Sequence, residues 1–215
     1  MDFYFAPLAC SMATRIAFAE AGGAVNWIEI DPTSKKVLAT GEDYLSINPL
    51  GMVPTLRTDD GELLTENAAI LQYVADRFPA AELAPPASDA MGRARLQQWL
   101  CFIGTELHKG LMTPLLDRKA PEDAKTYSFR KYASRLAHLN QHLSNSDFLL
   151  DRFSVADAYL ATVLNWTQVT PQIDLGQYPA LKAYLERMRA RPSVAAALGV
   201  EIPLFRAEIA RQKAA

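Results

Sequence analysis

The sequence predicts an α+β chain: a mixed strand-and-helix domain over residues 1–79, a linker over 80–87, and an all-helical domain over 88–215. Three observations predict it. Short apolar runs separated by turn signals fill the first part, three prolines crowd into "PAAELAPPAS" at 79–88, and apolar residues recur every three or four positions afterwards.

The elements follow in order. Residues 2–5 read as a strand, and residues 11–21 carry Ile16, Ala17 and Ala19 at helical spacing up to the stop at Gly22-Gly23. A second strand covers 25–31, followed by a polar stretch without clear pattern over 32–48. Residues 53–58 and 62–65 flank Asp59-Asp60-Gly61, a hairpin signal. A helix over 67–78 buries Ile70, Leu71, Val74 and Phe78. The resulting order is β-α-β-(irregular)-β-β-α.

Beyond the prolines, Leu96, Trp99, Leu100, Ile103, Leu107 and Leu111 mark one long helix. Another spans 122–143. In "FSVAD" Ser154 and Asp157 form an S-x-x-D cap that starts a helix through Leu160 and Leu164, nearly free of charge and therefore buried. A last helix over 178–191 stops before Pro192.

Composition narrows the function. The chain has 215 residues, 22 basic against 24 acidic, and two cysteines. A net charge of −2 gives no electrostatic case for nucleic acid or an anionic membrane. No secretory leader or membrane-spanning run stands out, so a cytoplasmic protein is expected. Cys10 and Cys101 fit no metal-ligand spacing, and in a reducing compartment each reads as an individual thiol.

Three short stretches look like parts of a site. Cys10 lies where a strand gives way to a helix; there the helix dipole favours thiolate, although a small buried hydrophobe is an equal reading. Ala13 three residues on excludes a dithiol. In "NPLGMVPTL", Pro54 opens a strand; a cis bond before it would turn the main chain of Val53 outward to pair with an extended peptide, whereas a trans proline would be unremarkable. In "LTENAA", Glu66 and Asn67 open a helix, either as caps or as a carboxylate site.

In this order and spacing the three stretches resemble the glutathione-binding half of the cytosolic glutathione transferases, a thioredoxin-like β-α-β-α-β-β-α domain. "PLACSMA" is similar to the bacterial beta class, whose active residue is cysteine. "ELHKG" (106–110) and the Ser154/Asp157 cap extend the likeness through the helical part.

The resemblance implies that glutathione pairs with Val53 beside a cis Pro54, places its γ-glutamyl carboxylate at Glu66 and Asn67, and offers its glycyl carboxylate to Lys35. Asn67 replaces the family's serine, and Cys101 replaces a family asparagine. Cys101, Thr105 and His108 recur at i, i+4 and i+7, a stripe apart from the leucine face; with Glu106 and Lys109 they become candidate glutathione contacts, and His108 a catalytic candidate beside Cys10 and Ser11.

The implied reaction is attack of the glutathione thiolate on a hydrophobic electrophile held near Leu8, the His108 helix and Trp166, in a homodimer. Thiol-disulfide exchange through Cys10 is expected alongside, with Ser11 or His108 polarising the glutathione sulfur. A non-catalytic regulatory protein, or a glutathione-dependent isomerase, dehalogenase or aryl-ether lyase, are the alternatives.

Overall fold

In the computed structural model, which describes residues 1–214, the apolar run at the N-terminus is strand β1 (Asp2–Phe5). Its side chains alternate between two faces. Phe3 and Phe5 meet Trp27 edge-on, with ring centroids 5.1 and 6.1 Å away, while Tyr4 points to the other face and packs on Tyr44.

Helix α1 (Met12–Ala21) ends where Gly22 takes φ of 62°, a left-handed conformation that glycine adopts without a Cβ clash. Strand β2 (Asn26–Asp31) then lies parallel to β1, and β3 (Lys36–Val37) turns back antiparallel to β2. The hairpin read around Asp59-Asp60-Gly61 is β4 (Thr55–Arg57) and β5 (Leu63–Thr65), followed by α2 (Asn67–Arg77). The sheet order is β3-β2-β1-β4-β5, with β1 antiparallel to β4. Phe3, Ile16, Leu56, Ile70, Leu71 and Val74 are fully buried in this part of the molecule. The irregular stretch holds β3 and a single 3₁₀ turn, Tyr44–Ser46, where the family pattern has its second helix.

The helical part comprises α3 (Ala90–Phe102), a π-helical run (Ile103–Met112), α4 (Thr113–Leu116), α5 (Glu122–Leu143), α6 (Val155–Asn165) and α7 (Pro179–Ala190). Every residue of α6 is buried, as its lack of charge predicts. The carboxylate of Asp157 accepts from the amide and hydroxyl of Ser154, each at 3.0 Å, closing the S-x-x-D motif at the helix start.

Two expectations require correction. The helix read through Leu111 is not α-helical beyond Phe102. Pro114 has no N–H for the carbonyl of Gly110, and the Ser128 hydroxyl donates to that carbonyl instead at 2.6 Å. The ring of Tyr132 lies 2.5 Å from where a Cβ on Gly110 would stand, so a glycine is needed there. At the end of the run the Thr113 amide reaches back five residues to the His108 carbonyl, the spacing of a π-helix.

The second correction concerns the C-terminus. Pro192 stops α7, with Arg191 extended before it, yet also opens a further helix, α8 (Pro192–Ala214), at the first-turn position where a missing N–H costs nothing. The chain divides into two compact units, Met1–Ala81 together with the residues from Pro192 onward, and Glu82–Arg191. Helix α8 therefore belongs with the sheet and not with the helices that precede it. It is joined there through Ser193 to Glu20 and, at 3.0 Å, through Arg211 to Glu29.

Candidate functional site

In the sheet unit, the segment leading into α1 is held by a buried ion pair. Glu201 of α8 is completely buried and accepts from the Leu8 amide and from Arg15 Nε, each at 2.7 Å. The Arg15 guanidinium lies 3.9 Å from the Trp27 ring centroid and 4.6 Å from that of Phe5. Burial raises the Glu201 carboxyl above its ordinary range, against the opposing pull of Arg15 and the Leu8 amide. Leu8 takes φ of 56°, an uncommon conformation for a branched residue, and Glu201 anchors it there.

Cys10 follows that anchored turn. It is buried, and its thiol donates to the Val53 carbonyl at 3.3 Å. Ser11 is fully buried, its hydroxyl donating to the Ala6 carbonyl at 3.1 Å. This hydroxyl is committed to holding the turn, which departs from the expectation that it polarises a ligand sulfur. Val53-Pro54 is cis. Among the described residues the Val53 amide has no hydrogen-bond partner. Lys35, also at positive φ, donates from Nζ to the Gly51 carbonyl at 2.9 Å, so its ammonium sits at the loop that leads into Val53.

The register pairing Thr55 with Thr65 places Pro54 and Glu66 one ladder step further on, so the Val53 loop and the start of α2 are neighbours. Glu66 is exposed, with φ of 67° and no side-chain bond to the helix. Asn67 is buried; its Oδ1 accepts from Thr14 at 3.4 Å, while its buried Nδ2 has no partner among the described residues. A buried unpaired amide donor costs roughly 1–3 kcal/mol. A ligand carboxylate at the α2 N-terminus would recover that cost.

In the helical unit, His108 Nδ1 lies 2.8 Å from the Tyr159 hydroxyl, and its ring meets Trp166 edge-on at 5.0 Å. Burial first, then the neighbouring Lys109 charge, lowers its pKa to about 4, so the imidazole is neutral at physiological pH. Glu106 is committed to Arg135 at 2.8 Å, and Thr105 donates to the Cys101 carbonyl at 2.9 Å. Cys101 is exposed and accepts from Gln97 at 3.1 Å. Lys109 is exposed. The stripe read on an α-helical wheel is thus broken by the π-helical run, which begins two residues after Cys101.

The depressed His108 value has a consequence for stability. The unfolded ring takes up a proton below about pH 6.5, which the folded ring refuses until about pH 4. The stabilisation is therefore complete above 6.5 and is lost as the pH falls towards 4, by about 3 kcal/mol for a shift of this size. Urea unfolding of the wild type and His108→Asn should show their stability difference shrinking by that amount over the interval. A constant difference contradicts the assignment.

Several contributors are marked by no motif of their own, although Asn48 and Thr55 fall inside the "NPLGMVPTL" stretch. Tyr44, Asn48 and Thr55 are buried polar residues bonded to one another beside Val53. Glu201 lies 191 positions from Cys10 in sequence. Tyr159 was legible only as a member of a buried helix.

Residues 9–77 match the family model described as glutathione S-transferase, N-terminal domain, and residues 98–192 match glutathione S-transferase, C-terminal domain. The chain is 39% identical over 202 residues to glutathione S-transferase GstA of Escherichia coli O157:H7, covering 94% of this chain and 98% of that protein. This chain belongs to the glutathione S-transferase family. A sphingomonad glutathione S-transferase solved with glutathione superposes on the transferase with a TM-score of 0.88 at 41% identity, covering 94% of this chain and 98% of the other. The beta class enzyme of Sphingomonas chungbukensis gives 0.87 at 41%, with the same coverage. No helix among the described residues is long and apolar enough to cross a membrane.

Proposed function

We propose that the transferase joins the thiolate of glutathione to small, mostly apolar electrophiles, with thiol-disulfide exchange through Cys10 as a second reaction. The observation that carries the reading is the main chain of Val53: its carbonyl receives the Cys10 thiol, and its amide has no hydrogen-bond partner among the described residues. An extended peptide adding at Val53 brings its own cysteinyl sulfur towards Cys10. In this reading Glu66 receives the γ-glutamyl ammonium, Asn67 and the first amides of α2 hold its carboxylate, and the Lys35 ammonium, anchored on Gly51, meets the glycyl carboxylate.

Conjugation needs the ligand thiol ionised. Lowering a thiol pKa from about 8.5 to about 6.5 takes roughly 2.7 kcal/mol and raises the thiolate fraction at pH 7 about 25-fold. Proximity supplies the remaining acceleration. Within the helical unit, His108 is a neutral imidazole whose Nε2 can give or accept one hydrogen bond, and Lys109 is an exposed cation. In exchange, the Cys10 thiolate attacks the sulfur of a glutathione mixed disulfide, expels the other thiol and becomes a Cys10–glutathione disulfide. A second glutathione thiolate then attacks it, releasing oxidised glutathione and restoring Cys10. A cytoplasmic homodimer is the expected working state, read by sedimentation.

Calorimetric titration with glutathione tests the reading. The wild type should bind, Asn67→Ala should raise Kd about 10-fold through loss of a charge-assisted bond, and Asn67→Ser should recover most of it. No binding by the wild type at millimolar glutathione would refute the proposal and favour a regulatory role.

A further inference from the structure

The orientation of the Val53 amide is imposed from below by three buried residues. The Tyr44 hydroxyl donates to the Met52 carbonyl at 2.7 Å, and Asn48 Nδ2 donates to the same carbonyl at 2.8 Å. The Thr55 hydroxyl lies 2.7 Å from Tyr44 Oη and 3.0 Å from Asn48 Nδ2. The protons can be assigned without conflict: Thr55 donates to Tyr44, Tyr44 to Met52, and the two hydrogens of Asn48 to Met52 and Thr55. Tyr44 and Thr55 are fully buried and Asn48 is 4% exposed, so no water competes for these bonds. Burial also raises the Tyr44 pKa, which keeps its donor proton in place.

A trans peptide unit is planar, with its C=O and N–H pointing in opposite directions. Fixing the Met52 carbonyl towards the cluster therefore turns the Val53 N–H away from it. We propose that Tyr44, Asn48 and Thr55 are positioning residues that set glutathione affinity by locking the Met52–Val53 peptide plane. The proposal rests on the pairing of glutathione with Val53 put forward above. The three side chains act only through the main chain of Met52. Their effect falls on ligand binding, and the reacting sulfur is untouched.

The test uses the full-length protein, with calorimetry for glutathione and S-methylglutathione and steady-state kinetics with 1-chloro-2,4-dinitrobenzene. Tyr44→Phe and Thr55→Val should each raise Kd about 5-fold, the loss of about one net hydrogen bond, by the same factor for both peptides. KM for glutathione should rise with them while kcat stays within about twofold, since the interaction is made equally in ground and transition states. Thr55→Ser, which keeps the hydroxyl, should bind like the wild type. Should Tyr44→Phe fail to fold, the Thr55→Val and Thr55→Ser pair decides. Wild-type affinity in Tyr44→Phe and Thr55→Val, or a fall in kcat with KM unchanged, overturns the inference while leaving the functional reading intact. Failure of the wild type itself to bind glutathione overturns both.

Discussion

Glu201→Ala is expected to destabilise the transferase by about 3–5 kcal/mol, because it leaves the Arg15 guanidinium buried without its counter-charge. Arg15 is only 10% exposed and Glu201 not at all, so solvent cannot replace the lost carboxylate. The contacts of Arg15 with Trp27 and Phe5 remain, but they place the cation deeper in apolar surroundings without neutralising it. Glu201→Gln retains the shape and an acceptor for the Leu8 amide, and should cost less than the alanine change. Urea unfolding midpoints give both values. Equal stability of Glu201→Ala and wild type would show that the pair is not a support of the fold. The Leu8 turn should also loosen in Glu201→Ala, lowering exchange through Cys10 at temperatures where the protein remains folded.

Removal of the Cys10 thiol should separate the two reactions. In Cys10→Ala, exchange with a glutathione mixed disulfide should fall at least about 100-fold, since the nucleophile proposed for it is gone. Conjugation uses the ligand's own thiolate and should persist within about 10-fold of wild type. Cys10→Ser keeps a donor for the Val53 carbonyl and should retain glutathione binding without exchange. The rates of mixed-disulfide reduction and of conjugation in the same three proteins make the comparison. If both reactions survive in Cys10→Ala, Cys10 is a packing residue that fills the space under Val53.

Much of this was legible in the chain itself. The apolar burst at residues 3–5, the Asp-Asp-Gly turn, the S-x-x-D cap and the charge-free helix after it each encode a local preference that tertiary structure reinforced. Local signals failed where long-range packing decides. The π-helical run depends on Tyr132 filling the space beside Gly110 and on Ser128 answering the carbonyl that Pro114 leaves unpaired. Helix α8 was hidden because a proline that ends one helix can begin the next. At the candidate site, Cys10, Val53, Pro54, Glu66 and Asn67 stand out as short motifs. Tyr44, Asn48 and Glu201 do not, because a buried polar side chain is meaningful only through partners that no spacing rule reveals. Ser11 shows the converse, since a hydroxyl beside a cysteine looks available in the sequence, whereas in the structure it donates to the Ala6 carbonyl.

The central claim is that Val53 presents its main chain to glutathione, and amide-resolved NMR of the ¹⁵N-labelled protein tests it most directly. Titration with glutathione should shift the Val53 amide resonance and slow its hydrogen exchange, because the amide gains a partner that none of the described residues gives it. Saturating glutathione that leaves the Val53 resonance and its exchange rate unchanged would contradict the account.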